Sequence, residues 1–192
     1  MAHLVGRKAP HFSSSAVING SFSKGFSLDQ FIGNSNVLFF FYPKSFTGLC
    51  QSELQAFDAQ LDAFKAVDTV IVGCSTDTSD THMAFMKVAQ ADGGIQGVRY
   101  PLVSDANKTI TTNYDVLSGE YDYTEDGLLS ADSDMVALRG LFLIDKTGVV
   151  QHQLINFYPL GRSVDEALRM ASALHHVQTH GEGCPANWTP AG

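Results

Sequence analysis

Three cysteines, Cys50, Cys74 and Cys184, are the residues of this chain best suited to covalent chemistry. What a thiol does depends on its neighbours. Beside a helix N-terminus or a cation it ionises and becomes a nucleophile, whereas in apolar surroundings it packs as a small, inert hydrophobe. Cys50 falls where a loop turns into the first turn of a helix, directly after an apolar strand. Unpaired backbone N–H groups and the positive end of the helix dipole favour an anion at such a place, so Cys50 is the candidate nucleophile. Cys74 closes a second apolar run and reads as a buried core residue. No pair is spaced C-x-x-C, which excludes thiol–disulfide exchange within one loop. His175, His176, His180 and Cys184 could offer imidazole and thiolate ligands, but their spacing fits no compact zinc pattern, and no metal is expected.

The elements that must hold Cys50 follow from the pattern around it. Val37-Leu38-Phe39-Phe40-Phe41-Tyr42 is an unbroken apolar run, the signature of a strand buried on both faces. Pro43 ends it, because proline cannot donate into a ladder. Leu54, Phe57, Leu61 and Phe64 then recur at helical spacing. Upstream, residues 11–26 predict a hairpin about Asn19-Gly20, and Ser27-Leu28-Asp29-Gln30 is a capping-box pattern opening a short helix. Downstream, Thr69–Cys74 predicts a second buried strand and Asp80–Ala91 a helix presenting His82, Phe85, Met86 and Ala89, ended at Gly93-Gly94. A short strand over 100–103 and a short helix over 108–114 come next. Residues 117–135 are acidic and weakly patterned, which suggests a surface excursion. Two strands flanking Asp145-Lys146-Thr147-Gly148 form a hairpin. Ser163-Val164-Asp165-Glu166 caps a closing helix striped with Val164, Ala167, Leu168, Ala171 and Leu174. From Gly181 onward the tail should be irregular.

At 192 residues and 44% apolar composition the chain suits one globular core, with mean hydropathy near zero. We expect one folded body over 1–170 and a helix end with a cysteine-bearing tail over 171–192. A net charge of −8 without a basic cluster argues against nucleic-acid binding. No apolar run is long enough to span a membrane. The N-terminal stretch lacks the apolar core of a signal peptide, so a cytoplasmic location is expected. In that compartment cysteines serve catalysis or redox chemistry more often than structural cross-linking. Strands and helices alternate early, and a hairpin plus helix close the chain. An α/β fold with a central mixed sheet flanked by helices fits, and a strand–turn–cysteine–helix unit within it points to a thioredoxin-like fold.

Three separated stretches then carry a resemblance. Tyr42-Pro43-Lys44-Ser45-Phe46-Thr47-Gly48-Leu49-Cys50 matches the P-x-x-x-T-x-x-C signature of the peroxiredoxins. Leu138-Arg139-Gly140-Leu141-Phe142-Leu143-Ile144-Asp145 resembles the strand bearing their catalytic arginine. Gly161-Arg162-Ser163-Val164-Asp165-Glu166 and His180-Gly181-Glu182-Gly183-Cys184-Pro185-Ala186-Asn187-Trp188 resemble their closing helix and resolving-cysteine segment. Over nearly its whole length the chain is similar to the typical two-cysteine, alkyl hydroperoxide reductase-like kind. It departs at Gly48 and Gln51, where that family usually has an aromatic residue and a proline.

The resemblance implies a peroxidase without cofactor, in which the Cys50 thiolate attacks a hydrogen or organic peroxide and becomes a sulfenic acid. Thr47 would align the peroxide, Arg139 would stabilise negative charge, and Pro43 would shield the sulfur. Glu53 and Arg162 would orient Arg139, and Tyr42 would support the reacting groups alongside them. Cys184 of a partner subunit would resolve the sulfenic acid as an intersubunit disulfide. Thioredoxin or an alkyl hydroperoxide reductase flavoprotein would then reduce it. An obligate homodimer, possibly closed into a decameric ring, is implied. Gly93-Gly94-Ile95 half matches a motif of oxidation-sensitive members, but the helix bearing their Tyr-Phe pair is missing from the sequence. Quick resolution and resistance to over-oxidation are therefore expected. Two other readings stand beside this one: a one-cysteine peroxidase or peroxide sensor, and an oligomeric holdase chaperone.

Overall fold

The computed structural model describes residues 3–190. In chain order the strands are β1 (Ser14–Ile18), β2 (Ser21–Phe26), β3 (Asn36–Phe41), β4 (Thr69–Ser75), β5 (Leu102–Ser104), β6 (Tyr121–Tyr123), β7 (Leu129–Ala131), β8 (Arg139–Ile144) and β9 (Val150–Asn156). The helices are α1 (Gly48–Ala59), α2 (Leu61–Ala66), α3 (Ser79–Lys87), α4 (Thr109–Asn113) and α5 (Val164–His180). Seven strands make one mixed sheet in the order β2-β1-β5-β4-β3-β8-β9. The β3–β4 and β4–β5 pairs are parallel, and the rest are antiparallel.

β3 lies inside that sheet between β4 and β8, and every residue of it is buried. Side chains alternate across a strand, so Leu38, Phe40 and Tyr42 enter one core while Val37, Phe39 and Phe41 enter the other. The first core is roofed by α1, α2, α3 and α5 through Leu54, Phe57, Phe64, Phe85, Ala167 and Ala171. The second is closed by Leu4, Phe12, Leu28, Ile110 and Tyr114. Both cores are aromatic at their middle. Phe40 stacks on Phe57 at 4.6 Å between ring centroids, and Phe39 on Phe12 at 5.4 Å. Burial on two sides is why β3 reads as a continuous apolar run and not as an alternating one.

Local chemistry explains most boundaries. Asn19 and Gly20 both hold positive φ, 49° and 70°, the geometry of the tight turn that joins β1 to β2. At Ser27 the hydroxyl accepts from the Asp29 N–H, and the Gln30 amide returns to the Ser27 carbonyl, so the expected short helix is one 3-10 turn over Leu28–Phe31. The Leu54–Phe64 stripe crosses a break at Gln60 and serves two helices. The helix expected over 80–91 stops at Lys87 and is followed by a 3-10 turn, Gln90–Asp92, with Gly93 at φ 85°. The acidic excursion holds a ribbon, β6 paired with β7 across Tyr121↔Ala131 and Tyr123↔Leu129. Its turn rests on Gly127 at φ 77°, so Asp126-Gly127 was the overlooked hairpin signal. Past α5, residues 182–190 are irregular as expected.

Phe40→Ala removes the ring that joins β3 to α1. We expect it to cost about 3–5 kcal/mol, read as a lower urea midpoint with an unchanged denaturant slope.

Candidate active site

Cys50 occupies the third position of α1, and its side chain is 1% exposed. Three connections bring it there. Tyr42 extends β3 by donating its N–H to the Cys74 carbonyl at 3.0 Å. After Pro43 the loop is pinned by the Ser45 N–H, which donates to Asp77 Oδ2 at 2.7 Å. Phe46 then turns the chain in the left-handed region, at φ 58°, with its ring 4.7 Å from that of Phe85. A non-glycine residue held there stores strain that only its surroundings can sustain. Thr47 is the residue before the helix, but its hydroxyl does not cap it. Thr47 Oγ1 donates to the Lys44 carbonyl at 3.0 Å, which leaves the oxygen as an acceptor beside the cavity.

Two arginines converge on one carboxylate behind the sulfur. Arg139, the first residue of β8, donates from Nη1 to Glu53 Oε2 at 2.6 Å and to Cys50 Sγ at 3.5 Å. Its Nε is held by the Tyr158 carbonyl at 2.7 Å. Arg162 meets Glu53 three times, from its backbone N–H (2.8 Å), Nε (2.9 Å) and Nη2 (2.9 Å). Its Nη1 also donates to the carbonyls of Phe41 and Gly140, each at 2.7 Å, and its guanidinium lies 4.9 Å from the Phe40 ring centroid. All three side chains are buried. Burial works against the charge on Glu53, yet the hydrogen bonds and charge of Arg162, with the charge of Arg139, outweigh it and hold the carboxyl below its ordinary range. At Gly140 a Cβ would sit 2.7 Å from Val116 Cγ1, so the second core leaves no room for a side chain beside this network.

In front of the sulfur is a cavity of about 440 Å³ lined by Pro43, Thr47, Leu49, Cys50, Arg139 and Pro159, with Val136 and Asp134 at its wall. The structure thus brings together Cys50, Pro43, Thr47 and Arg139 around one space, with Glu53 and Arg162 behind Arg139. Tyr42 belongs to a different support. Its buried hydroxyl lies 3.4 Å from Ser45 Oγ, and burial pushes its ionisation upward. Cys184 does not line the cavity. It sits half-buried on the flank of α5, with Sγ 3.6 Å from the Ala173 carbonyl. Arg169 Nη1 ties the same tail by donating to the Trp188 carbonyl at 2.9 Å. Cys74 is buried, and desolvation, helped by Asp105, pushes its thiol well up, as befits a core residue. Among the described residues no cluster of three or more His, Cys, Asp or Glu could hold a metal, and no helix is long and apolar enough to cross a membrane.

Sequence reasoning missed the residues that act through backbone or from beneath. Tyr158 contributes a carbonyl, which leaves no side-chain signal. Under the loop, Ser75 Oγ donates to Asp77 Oδ2 at 3.0 Å and meets His82 Nε2 at 2.8 Å. The helical spacing had placed His82 on a core face, and the structure adds its link to the Cys50 loop.

The chain was compared with known proteins. The family model described as the AhpC/TSA family matches residues 5–153. A thioredoxin peroxidase of Echinococcus granulosus is 40% identical over 190 residues, which is 99% of this chain and 91% of that protein. The mitochondrial thioredoxin-dependent peroxide reductase of Rattus norvegicus is 42% identical over 186 residues, and this chain spans 66% of its length. The crystal structure of reduced 2-Cys peroxiredoxin from Plasmodium vivax superposes with a TM-score of 0.86 at 41% identity, covering 100% of this chain and 92% of that one.

Two outcomes follow from the geometry. Glu53→Gln leaves two buried cations without their anion, and is expected to lose about 3–5 kcal/mol in chemical denaturation. His82 is kept neutral because burial pushes its imidazole down to about 4, against the pull of Asp77. The unfolded chain takes up that proton near 6.5. Between pH 6.5 and about 4 the unfolded state therefore binds more protons, and stability falls as the pH falls, by up to about 3 kcal/mol. It is fully present above that window. His82→Gln should flatten this part of the pH–stability profile; equal slopes for both proteins would refute the assignment.

Proposed function

Because the chain belongs to the AhpC/TSA family, we propose that it is a thiol peroxidase in which Cys50 reduces hydrogen peroxide and organic hydroperoxides. The observation that carries the assignment of residues is the Arg139 guanidinium 3.5 Å from Cys50 Sγ, fixed from behind by Glu53. The buried cluster of Arg139, Arg162 and Glu53 carries one net positive charge beside the reacting sulfur. The thiolate attacks the terminal peroxide oxygen, the O–O bond breaks, and the sulfur becomes a sulfenic acid. The other oxygen leaves as hydroxide or alkoxide, stabilised by Arg139 until it takes a proton. Thr47 Oγ1, its own proton spent on Lys44, accepts the hydrogen bond of the peroxide O–H and orients it. Pro43, Leu49 and Pro159 keep water from the sulfur and accommodate an alkyl group.

Resolution falls to Cys184. Because it stands apart from the cavity of its own chain, the partner subunit's copy is the natural donor of the second thiol. The open edge at β9, with Leu154, Phe157 and Leu160 exposed on and just after it, supports a homodimer formed edge to edge. The disulfide is returned to thiols by a thioredoxin-type dithiol protein, as the names of the matched relatives suggest, and an alkyl hydroperoxide reductase flavoprotein is the other candidate. The cytosol offers such reductants, as do the mitochondrial settings named for some relatives.

Cys50→Ser should abolish peroxide consumption, by more than about a thousandfold. Non-reducing electrophoresis after one equivalent of peroxide should give a dimer band that Cys184→Ser removes. Persistent monomer in the parent protein would rule out intersubunit resolution. Retained turnover in Cys50→Ser would rule out the nucleophile.

A further inference from the structure

The Cys50 thiol is buried for attack, yet its sulfenic acid must leave the cavity to meet Cys184. The first turn of α1 must therefore open during each cycle. Its own backbone offers little resistance. The helix begins at Gly48, Thr47 supplies no side-chain cap, and the first bond of the turn runs from the Gln51 N–H to the Thr47 carbonyl at 2.9 Å. Such a start frays easily.

From these contacts we infer that Gln51, the residue next to Cys50, is a clasp that holds the turn closed and sets the rate of its opening. The inference rests on the peroxidase reading above. Gln51 Nε2 donates to two carbonyls of another segment, those of Gln90 at 2.7 Å and Gly94 at 3.0 Å. One turn later Gln55 Nε2 reaches the same Gly94 carbonyl at 3.3 Å. Both amides have converged on one loop, and that loop is itself rigid. The N–H groups of Gly94, Ile95 and Gln96 donate to the carbonyls of Ala89, Phe85 and Val88, each at 3.0 Å. The Gln90 side chain closes it onto the Gln96 carbonyl at 3.0 Å. Ile95 is buried in the core under it. At Gly94 a Cβ would lie 2.1 Å from the Val88 carbonyl oxygen, so the backbone approach is possible only for glycine. A floppy receiver would follow the helix outward; this one cannot. Unwinding residues 48–51 has to break both Gln51 bonds.

Gln51 thereby acts as a positioning residue at a branch. In the open turn, the Cys50 sulfenic acid and the Cys184 thiol condense to the disulfide and water. In the closed turn, the sulfenic acid stays in the cavity, where a second peroxide can transfer an oxygen to it, giving sulfinic acid and water or alcohol. A tighter clasp shifts oxidised enzyme toward the second outcome at a given peroxide concentration.

Gln51→Met keeps the stem and removes both donors, so it tests the clasp without emptying the site. Trp188, four residues beyond Cys184, is the one tryptophan of the chain and reports disulfide formation in stopped flow. The expected result is a resolution rate about tenfold higher, the value of two neutral hydrogen bonds near the surface. The sulfinate fraction in a hydrogen peroxide titration should fall in parallel, by mass spectrometry. The rate of peroxide capture should stay within twofold, since Gln51 does not touch the sulfur. Gln55→Met should give a smaller rise in the same direction, and faster hydrogen exchange over residues 48–52 should accompany both. A resolution rate within twofold of the parent, with the parent disulfide forming normally, overturns the clasp alone. Failure of the parent to form any disulfide overturns the two-cysteine cycle and the clasp with it.

Discussion

The structure depends on one buried carboxylate shared by two arginines. Glu53 lies on α1, Arg139 at the start of β8 and Arg162 just ahead of α5, so a single ion network ties three elements distant in sequence. Isolated charges at that depth would be prohibitively costly. They persist because nearly every donor is met: Arg162 alone also reaches the carbonyls of Phe41, the last residue of β3, and Gly140, the second of β8. The network is thus part of the fold and of the site at once. It ties the end of β3 and the first turns of α1 to the start of β8.

The sheet makes this economical. Because β3 is buried on both faces, its C-terminal end is a rigid platform, and a loop leaving it can be short. That loop is then anchored from the side by Ser45 on Asp77 and strained at Phe46. The helix above is braced by the Phe40–Phe57 stack, and Arg162 lies over the same Phe40 ring. Apolar packing and the ion network therefore share a wall. Loss of either would loosen the sulfur's position, although the two contribute through different physics.

Much of this was legible before the structure. The double-sided burial of β3 was written in an uninterrupted apolar run, and the hairpin at Asn19-Gly20 and the cap at Ser163 follow from turn and capping chemistry. Cys50 could be placed at a helix start from the proline and the apolar spacing around it. What could not be read were contacts made by the backbone or by common polar residues. The Tyr158 carbonyl has no sequence signature, and glutamine at 51 looks like any exposed helical residue. The β6–β7 ribbon was overlooked for another reason: its strands are three residues each and wholly exposed, so no hydrophobic pattern marks them. The arginine pair was suggested by resemblance to a family, and the structure supplies the reason both meet on one glutamate.

The remaining tension is between attack and release. Attack on peroxide asks for a sulfur held within a few ångströms of a guanidinium, in a cavity with little water, because preorganised charge costs no reorganisation at the moment of bond breaking. In the two-cysteine cycle proposed above, release asks that the same turn come apart. A helix begun with glycine and without a side-chain cap satisfies the second demand, and the Glu53 network satisfies the first by gripping the helix two residues beyond the turn that must open. The division falls between Gln51 and Glu53. In that proposed cycle residues before it unwind while Glu53 keeps both arginines in place, so the cationic pocket survives each opening.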